Sequence, residues 1–193
     1  MFDGVDWKDA GPAPGRTLRF REIRGRAGAR LFHDRIAELK RTSRFAAAVD
    51  VHDPDEYERC RMFLSEDGRA GFALAEDDEL VSVFSYKGAH AGDDIVGKAV
   101  EQGARRLDCY DIKGFLPRLY GGHGFRPVAY VDWDDDYAPD GWDYAKAGRP
   151  RVAAMALTGE NVEPVEHVGY DEAVDMAKRV ARGGPDVTPA PLS

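Results

Sequence analysis

Leu80-Val81-Ser82-Val83-Phe84-Ser85-Tyr86-Lys87-Gly88-Ala89-His90-Ala91-Gly92-Asp93-Asp94-Ile95-Val96 is the stretch on which the fold turns. Val81, Val83 and Phe84 form an apolar run that reads as a strand ending near Tyr86. Lys87 to Gly92 then opens a helix expected over 93–103. Leu107 to Ile112 is the next short strand, and Gly114 to Tyr120 is a helix leading into the corner Gly121-Gly122-His123-Gly124-Phe125. A loop between a strand and a helix start exposes unpaired backbone N–H groups and the positive end of the helix dipole. Phosphates bind at such places with little help from side chains.

Upstream, residues 1–16 hold Gly4, Gly11, Pro12, Pro14 and Gly15 and read as an arm, with Trp7 to dock it. Thr17 to Ile23 alternates apolar and charged residues, the pattern of a half-buried strand. In Ala29 to Lys40, Leu31, Phe32, Ile36 and Leu39 fall near helical spacing. Phe45 to Val51 stays open between a short strand and a buried turn. Asp53-Pro54-Asp55-Glu56 has the form of a helix start, with the helix ending near Cys60. Arg61 to Leu64 and Ala70 to Ala75 read as strands joined by an Asp67-Gly68 hairpin turn. Glu76 to Glu79 turns the chain into the opening stretch, which completes a three-strand meander.

Downstream, Pro127 to Val131 is a strand, 132–148 a long acidic and aromatic loop, Arg151 to Leu157 the last strand, and Tyr170 to Arg182 a helix that Gly183 and Gly184 can end. A Pro-rich tail follows. The organisation expected is an arm (1–16), a main domain (17–157), and a C-terminal helix with tail (158–193). The element order is mixed α/β.

The chain has 193 residues, 43% hydrophobic and 32% charged, with a formal net charge of -8. That is a globular balance, and the negative charge argues against nucleic-acid binding. Cys60 and Cys109 form no CxxC pair, so a reduced, cytoplasmic protein without a metal site is expected. No apolar run approaches the ~20 residues that span a bilayer, so no membrane partner is expected.

This order resembles that of the GNAT superfamily of acyl-CoA-dependent N-acetyltransferases, over about residues 17–157 and by element order more than by long motifs. The resemblance implies a central, mostly antiparallel sheet splayed at its middle and flanked by helices. It also implies acetyl-CoA, or a related acyl-CoA, as cofactor, and a small-molecule or peptide amine as acceptor, and it leaves room for a homodimer. In that family the strand before the central helix ends in Arg/Gln-x-x-Gly-x-Gly/Ala. Here Lys87 takes the basic position, His90 the first glycine and Gly92 the second, a degenerate version of the loop. The resemblance thus assigns the pyrophosphate to Lys87, Gly88, Ala89, His90, Ala91 and Gly92, with Phe115 and Arg118 also on the cofactor. The family pattern Tyr-x-x-x-Gly-Phe matches Tyr120 to Phe125 and makes Tyr120 the acid that protonates the departing thiolate. Lys113 and Gly114 stand where the usual upstream Asn is absent.

Such a transferase also needs a base for the amine. Asp108, Asp111, Glu79 and His123 are candidates. Asp111, closing its strand, is preferred as the catalytic base, and its other reading is a turn cap before Lys113-Gly114. Trp133, Asp135 and Tyr137 form a candidate wall for a cationic amine; the other reading is a solvated loop pinned to the body by its aromatics. His33, His52 and His167 have no ligand spacing. Two further readings stand beside the enzyme: a GNAT-shaped module without catalysis, used for binding or assembly, and a loop that holds a different phosphate ligand.

Overall fold

A computed structural model describes residues 17–43 and 46–183. The expected arm with Trp7, the start of the 45–51 stretch and the tail from Gly184 lie outside the described residues. Four strands, β1 (Phe20–Ile23), β2 (Arg61–Ser65), β3 (Ala70–Leu74) and β4 (Leu80–Ser85), pair antiparallel in that order. The β2–β3 turn has the Asp-Gly chemistry anticipated for it. Gly68 sits at φ +67, and the Asp67 carboxylate accepts from the Ser65 hydroxyl at 2.7 Å and from the Arg69 N–H at 3.1 Å.

A second antiparallel sheet has the order β5-β7-β6, from β5 (Arg106–Tyr110), β6 (Phe125–Val131) and β7 (Val152–Leu157). The sequence implies one sheet, and the structure divides it into two halves. Among the described residues they meet through one parallel bridge, Glu79 to Arg106, beside which the Arg105 N–H donates to the Asp78 carbonyl at 2.9 Å. Beyond it β4 and β5 form no further ladder.

The cause lies in β4. Gly71 faces Phe84 and Ala73 faces Val81, so β4 carries one residue more than β3 between these pairs. That is a β-bulge, which bends a strand and increases its twist. Ser82 takes φ +49 there, a conformation a non-glycine residue adopts only when its surroundings hold it. Those surroundings are polar and buried: the Ser82 hydroxyl lies 2.9 Å from the Tyr57 hydroxyl and 3.2 Å from the Asp50 carbonyl.

Helices cover both faces. On one, α3 (Gly92–Glu101) and α4 (Phe115–Gly121) pack on the larger core, which includes Phe72, Val83, Ile95, Leu107, Phe125 and Met155. On the other, α1 (Gly25–Thr42) and the single-turn α2 (Pro54–Tyr57) cover β2 and β4. α1 buries Phe32, Ile36 and Leu39 along one stripe, each contributing roughly 1.5–3 kcal/mol. It begins a turn earlier than its apolar spacing suggests, because Gly25 to Gly28 carries no large apolar residue. Asp53 precedes α2 without a side-chain cap bond. Among its described residues, the 45–51 stretch has a 3-10 turn at Ala46–Ala48 and no strand. Within the long loop lie a 3-10 turn at Asp135–Tyr137 and α5 (Tyr144–Ala147). α6 (Tyr170–Arg182) lies over β6 and β7, where Ala173 and Ala177 meet Ala129 and Ala154; small side chains let helix and sheet approach closely.

Gly71 faces the bulge and is packed tight. A Cβ there would lie 2.6 Å from the Phe63 carbonyl oxygen and 2.7 Å from the Phe84 ring. Gly71→Ala is expected to lower stability by about 2–3 kcal/mol in urea unfolding; a loss below about 0.5 kcal/mol would show that β3 yields easily at this point.

Candidate functional site

The gap between β4 and β5 is the centre of the site. At its rim the Tyr86 N–H donates to Arg69 on β3's side. Amides alternate in direction along an antiparallel ladder, so the Ser85 N–H points the other way, into the gap.

Past Tyr86 the chain forms the loop Lys87 to Ala91. Gly88 has φ +75 and His90 φ +50, so His90 takes the left-handed backbone that glycine adopts without strain. Ala91 precedes α3 and supplies no side-chain cap. The first N–H groups of this ten-residue helix are therefore not claimed by a capping side chain. The two acids of the first turn are engaged elsewhere. Asp93 lies 2.8 Å from the His123 ring nitrogen, and Asp94 accepts from the Leu18 N–H at 2.9 Å. Positive charge near the loop comes from Lys87, which is exposed, and from Arg69, whose guanidinium donates to the Lys87 carbonyl. Sequence reasoning missed Arg69, since the hairpin that carries it gives no sign of folding back onto the loop.

β5 separates the remaining residues by face. Leu107 and Cys109 point into the core shared with Ala91, Ile95 and Tyr120. Tyr120 is 1% exposed, with its ring edge-on to Phe125 at 6.0 Å. Burial raises its pKa well above the usual value, and Cys109 and Asp108 add to the rise. Asp108 and Tyr110 lie on the opposite face. Asp108 accepts a hydrogen bond from the Tyr170 hydroxyl at 2.8 Å. Burial, with Asp50 and Asp108 nearby, pushes the Tyr110 hydroxyl up to about 12. Asp50, Tyr110 and Tyr170 were not singled out in the sequence, because only folding brings the α1–α2 connection and the start of α6 to β5.

Asp111 directly follows β5, with both oxygens occupied. One accepts from the Gly114 N–H at 2.9 Å and the other from Arg151 Nε at 3.0 Å. Of the other candidates, Glu79 is paired with Arg106 at 2.8 Å. Phe115 packs on the larger core, while Arg118 is exposed on α4.

The aromatic loop is largely self-contained. Trp133, Trp142 and Tyr110 pack against one another as tilted rings at centroid distances of 4.8–5.7 Å. Trp133 donates to Asp135 at 2.8 Å, Arg149 pairs with Asp135 at 2.9 Å, and the Arg149 guanidinium lies over Tyr144. The Arg149 hydrogen bond holds the Asp135 carboxyl below its usual range. Tyr137 is 84% exposed and stands apart from this cluster. Among the described residues no group of His, Cys, Asp and Glu could hold a metal, and no helix is long and apolar enough to cross a membrane.

No protein-family model matches the chain, and no curated protein matches it. Among solved structures, the chain is similar to a Bacillus subtilis acetyltransferase in complex with CoA, at 18% identity, 73% of this chain and 98% of that one, with a TM-score of 0.44. It is similar to yncA from Salmonella typhimurium with its cofactor acetyl-CoA, at 13% identity, 77% and 98% coverage, and a TM-score of 0.47. A third is an acetyltransferase of the GNAT family from Staphylococcus aureus, at 12% identity, 74% and 100% coverage, and a TM-score of 0.38. Identities and scores this low assign neither activity nor site residues.

The buried tyrosines make a pH prediction. Tyr110, Tyr120 and Tyr170 all have folded-state pKa values above the unfolded value near ~10. Their contribution is therefore fully present below pH ~10 and is lost as pH rises through the folded values. Urea midpoints should fall above pH ~10, and tyrosinate absorbance from these residues should appear together with unfolding. Tyrosinate formation complete at pH ~10 in the folded protein would contradict this assignment.

Proposed function

We propose that this protein is an acyl-CoA-dependent N-acyltransferase, most simply an acetyltransferase, that acts on a small-molecule or peptide amine in the cytoplasm. The observation that carries the reading is the gap between β4 and β5, held at one end by the Glu79–Arg106 bridge and flanked by the uncapped start of α3. A pantetheine-like arm fits between two strands that diverge, and a diphosphate fits an uncapped helix start. The residues present suit that ligand: Lys87 and Arg69 are cationic, His90 has a glycine-like backbone, and Asp93 and Asp94 are tied to other groups.

In this reading acetyl-CoA supplies the thioester. Lys87, Gly88, Ala89, His90, Ala91 and Gly92 hold its diphosphate, with Phe115 and Arg118 on the same side of the sheet. The Ser85 N–H stabilises the negative charge that develops on the carbonyl oxygen. Tyr120, protonated at neutral pH, gives its proton to the sulfur as the carbon–sulfur bond breaks and the carbon–nitrogen bond forms. The amine's proton leaves to a carboxylate. Asp108 suits this better than Asp111, whose two oxygens are held by Arg151 and the Gly114 amide. Trp133 and Asp135, with Tyr137 beyond them, border the acceptor side next to Tyr110.

A second reading, a CoA-binding module without catalysis, is favoured by one observation: the side chain of Tyr120 is enclosed in the apolar core. One set of measurements separates the two. Calorimetry should detect acetyl-CoA binding, and Tyr120→Phe should reduce turnover on a reactive test amine about 10²-fold with little change in acetyl-CoA affinity. Binding with turnover unaffected by Tyr120→Phe removes Tyr120 from the chemistry; absence of binding removes the whole reading. His90→Gly keeps the backbone conformation and removes a side chain from the loop. It should therefore bind acetyl-CoA at least as tightly as the parent chain, and markedly weaker binding would show that the imidazole itself holds the ligand.

A further inference from the structure

α6 lies outside the stretch expected to form the main domain, yet its first residue reaches β5. Ala173, Ala177 and Ala181 are buried along one side of the helix, and Tyr170, three residues before Ala173, shares that side. Ala173 and Ala177 pack on Ala129 and Ala154. Ala154 on β7 pairs with Asp108 on β5, and paired residues stand side by side on one face of a sheet. The alanines thus let the helix run close over the sheet and set Tyr170 against Asp108. The Tyr170 hydroxyl donates to Asp108 Oδ2 at 2.8 Å.

Asp108 stands two residues past Arg106, whose bridge to Glu79 closes the seam. At about 3.3 Å per residue that is roughly 7 Å into the opening. Charge fixes the direction of the bond. Burial, and after it Asp108, raises the Tyr170 pKa well above the usual tyrosine value, and Glu79 and Asp50 add to the rise. The phenol therefore keeps its proton, and the carboxylate accepts. An aspartate turns easily about its last side-chain torsion, which is broad. A donor on one oxygen stops the turning. Among the described residues the other oxygen of Asp108 accepts no hydrogen bond. A base oriented in this way by a third group is a recurring arrangement in enzymes.

We propose that Tyr170 is a positioning residue, which holds Asp108 so that its second oxygen takes the proton from the attacking amine. The inference rests on the acyltransfer reading and makes α6 part of the acceptor side. As the carbon–nitrogen bond forms, the nitrogen gives its proton to Asp108, and the carboxyl returns it to solvent after turnover. Tyr170 itself gives up no proton.

Tyr170→Phe removes one oxygen and keeps the ring. Two acceptors are compared on the full chain with acetyl-CoA: a primary alkylamine, protonated at neutral pH, and an arylamine, which is already neutral there and depends less on a base. The variant should lower kcat about tenfold with the alkylamine and less than about twofold with the arylamine, at an unchanged KM for acetyl-CoA. Its Tm should stay within about 4 °C of the parent chain's. Asp108→Asn should show the same preference between amines, and adding Tyr170→Phe to it should cost nothing further. Unchanged kcat with the alkylamine, or an equal loss with both amines as a packing defect would give, overturns the inference and leaves the acyltransfer reading standing. Turnover of the arylamine alone in the parent chain does the same, since no base is then at work. Where only the alkylamine reacts, additive losses in the double variant overturn it. Absence of turnover with either amine in the parent chain removes the inference and the acyltransfer reading together.

Discussion

The two half-sheets are joined at one end only, and the rest of the molecule is arranged around that constraint. Among the described residues Glu79 and Arg106 form the one parallel bridge between the halves, and their side chains pair across it at 2.8 Å. Three residues later the bulge at Ser82 bends β4. A parallel pair that continued would satisfy its amides within the ladder. One that stops after a single bridge leaves edge amides such as that of Ser85 facing a gap. The left-handed backbone at Ser82 is costly by itself, and the buried contacts to Tyr57 and Asp50 hold it in place. The opening is thus a consequence of packing on the α1–α2 side and not of looseness.

The charges around the gap follow the same logic of engagement elsewhere. Asp93 and Asp94 at the start of α3 would repel a phosphate if both faced it. His123, from the glycine corner after α4, takes up the first, and the chain before β1 takes up the second. A local sequence pattern that looks hostile to an anion becomes compatible with one once those partners arrive. At Asp111 the effect runs the other way: a carboxylate at an inviting position is absorbed by Arg151 and a turn amide.

The acidic aromatic loop shows how a segment can look like a binding wall and yet be occupied by its own chain. Asp135 collects Trp133, Tyr144 and Arg149, and Arg149 covers the Tyr144 ring. What the loop offers outward is the surface beside Tyr110, near Asp50, Asp108 and Tyr170. All four stand outside the loop itself.

The sequence by itself determined the elements. Alternation in Thr17 to Ile23, helical spacing in α1, the Asp67-Gly68 turn, the glycine-bearing loop before α3 and the limits of α6 are local patterns. Local propensity and a one-sided apolar face suffice to produce them. Ends without apolar residues, such as the first turn of α1, left no periodic trace. Tertiary structure alone decided that the sheet divides, that Arg69 reaches the loop, that Arg151 and the Gly114 amide take the two oxygens of Asp111, and that Arg106 is buried against Glu79. Each of these depends on which distant side chain arrives as a partner. A spacing rule over neighbouring residues carries no information about that, because the partners lie tens of residues away and are chosen by packing.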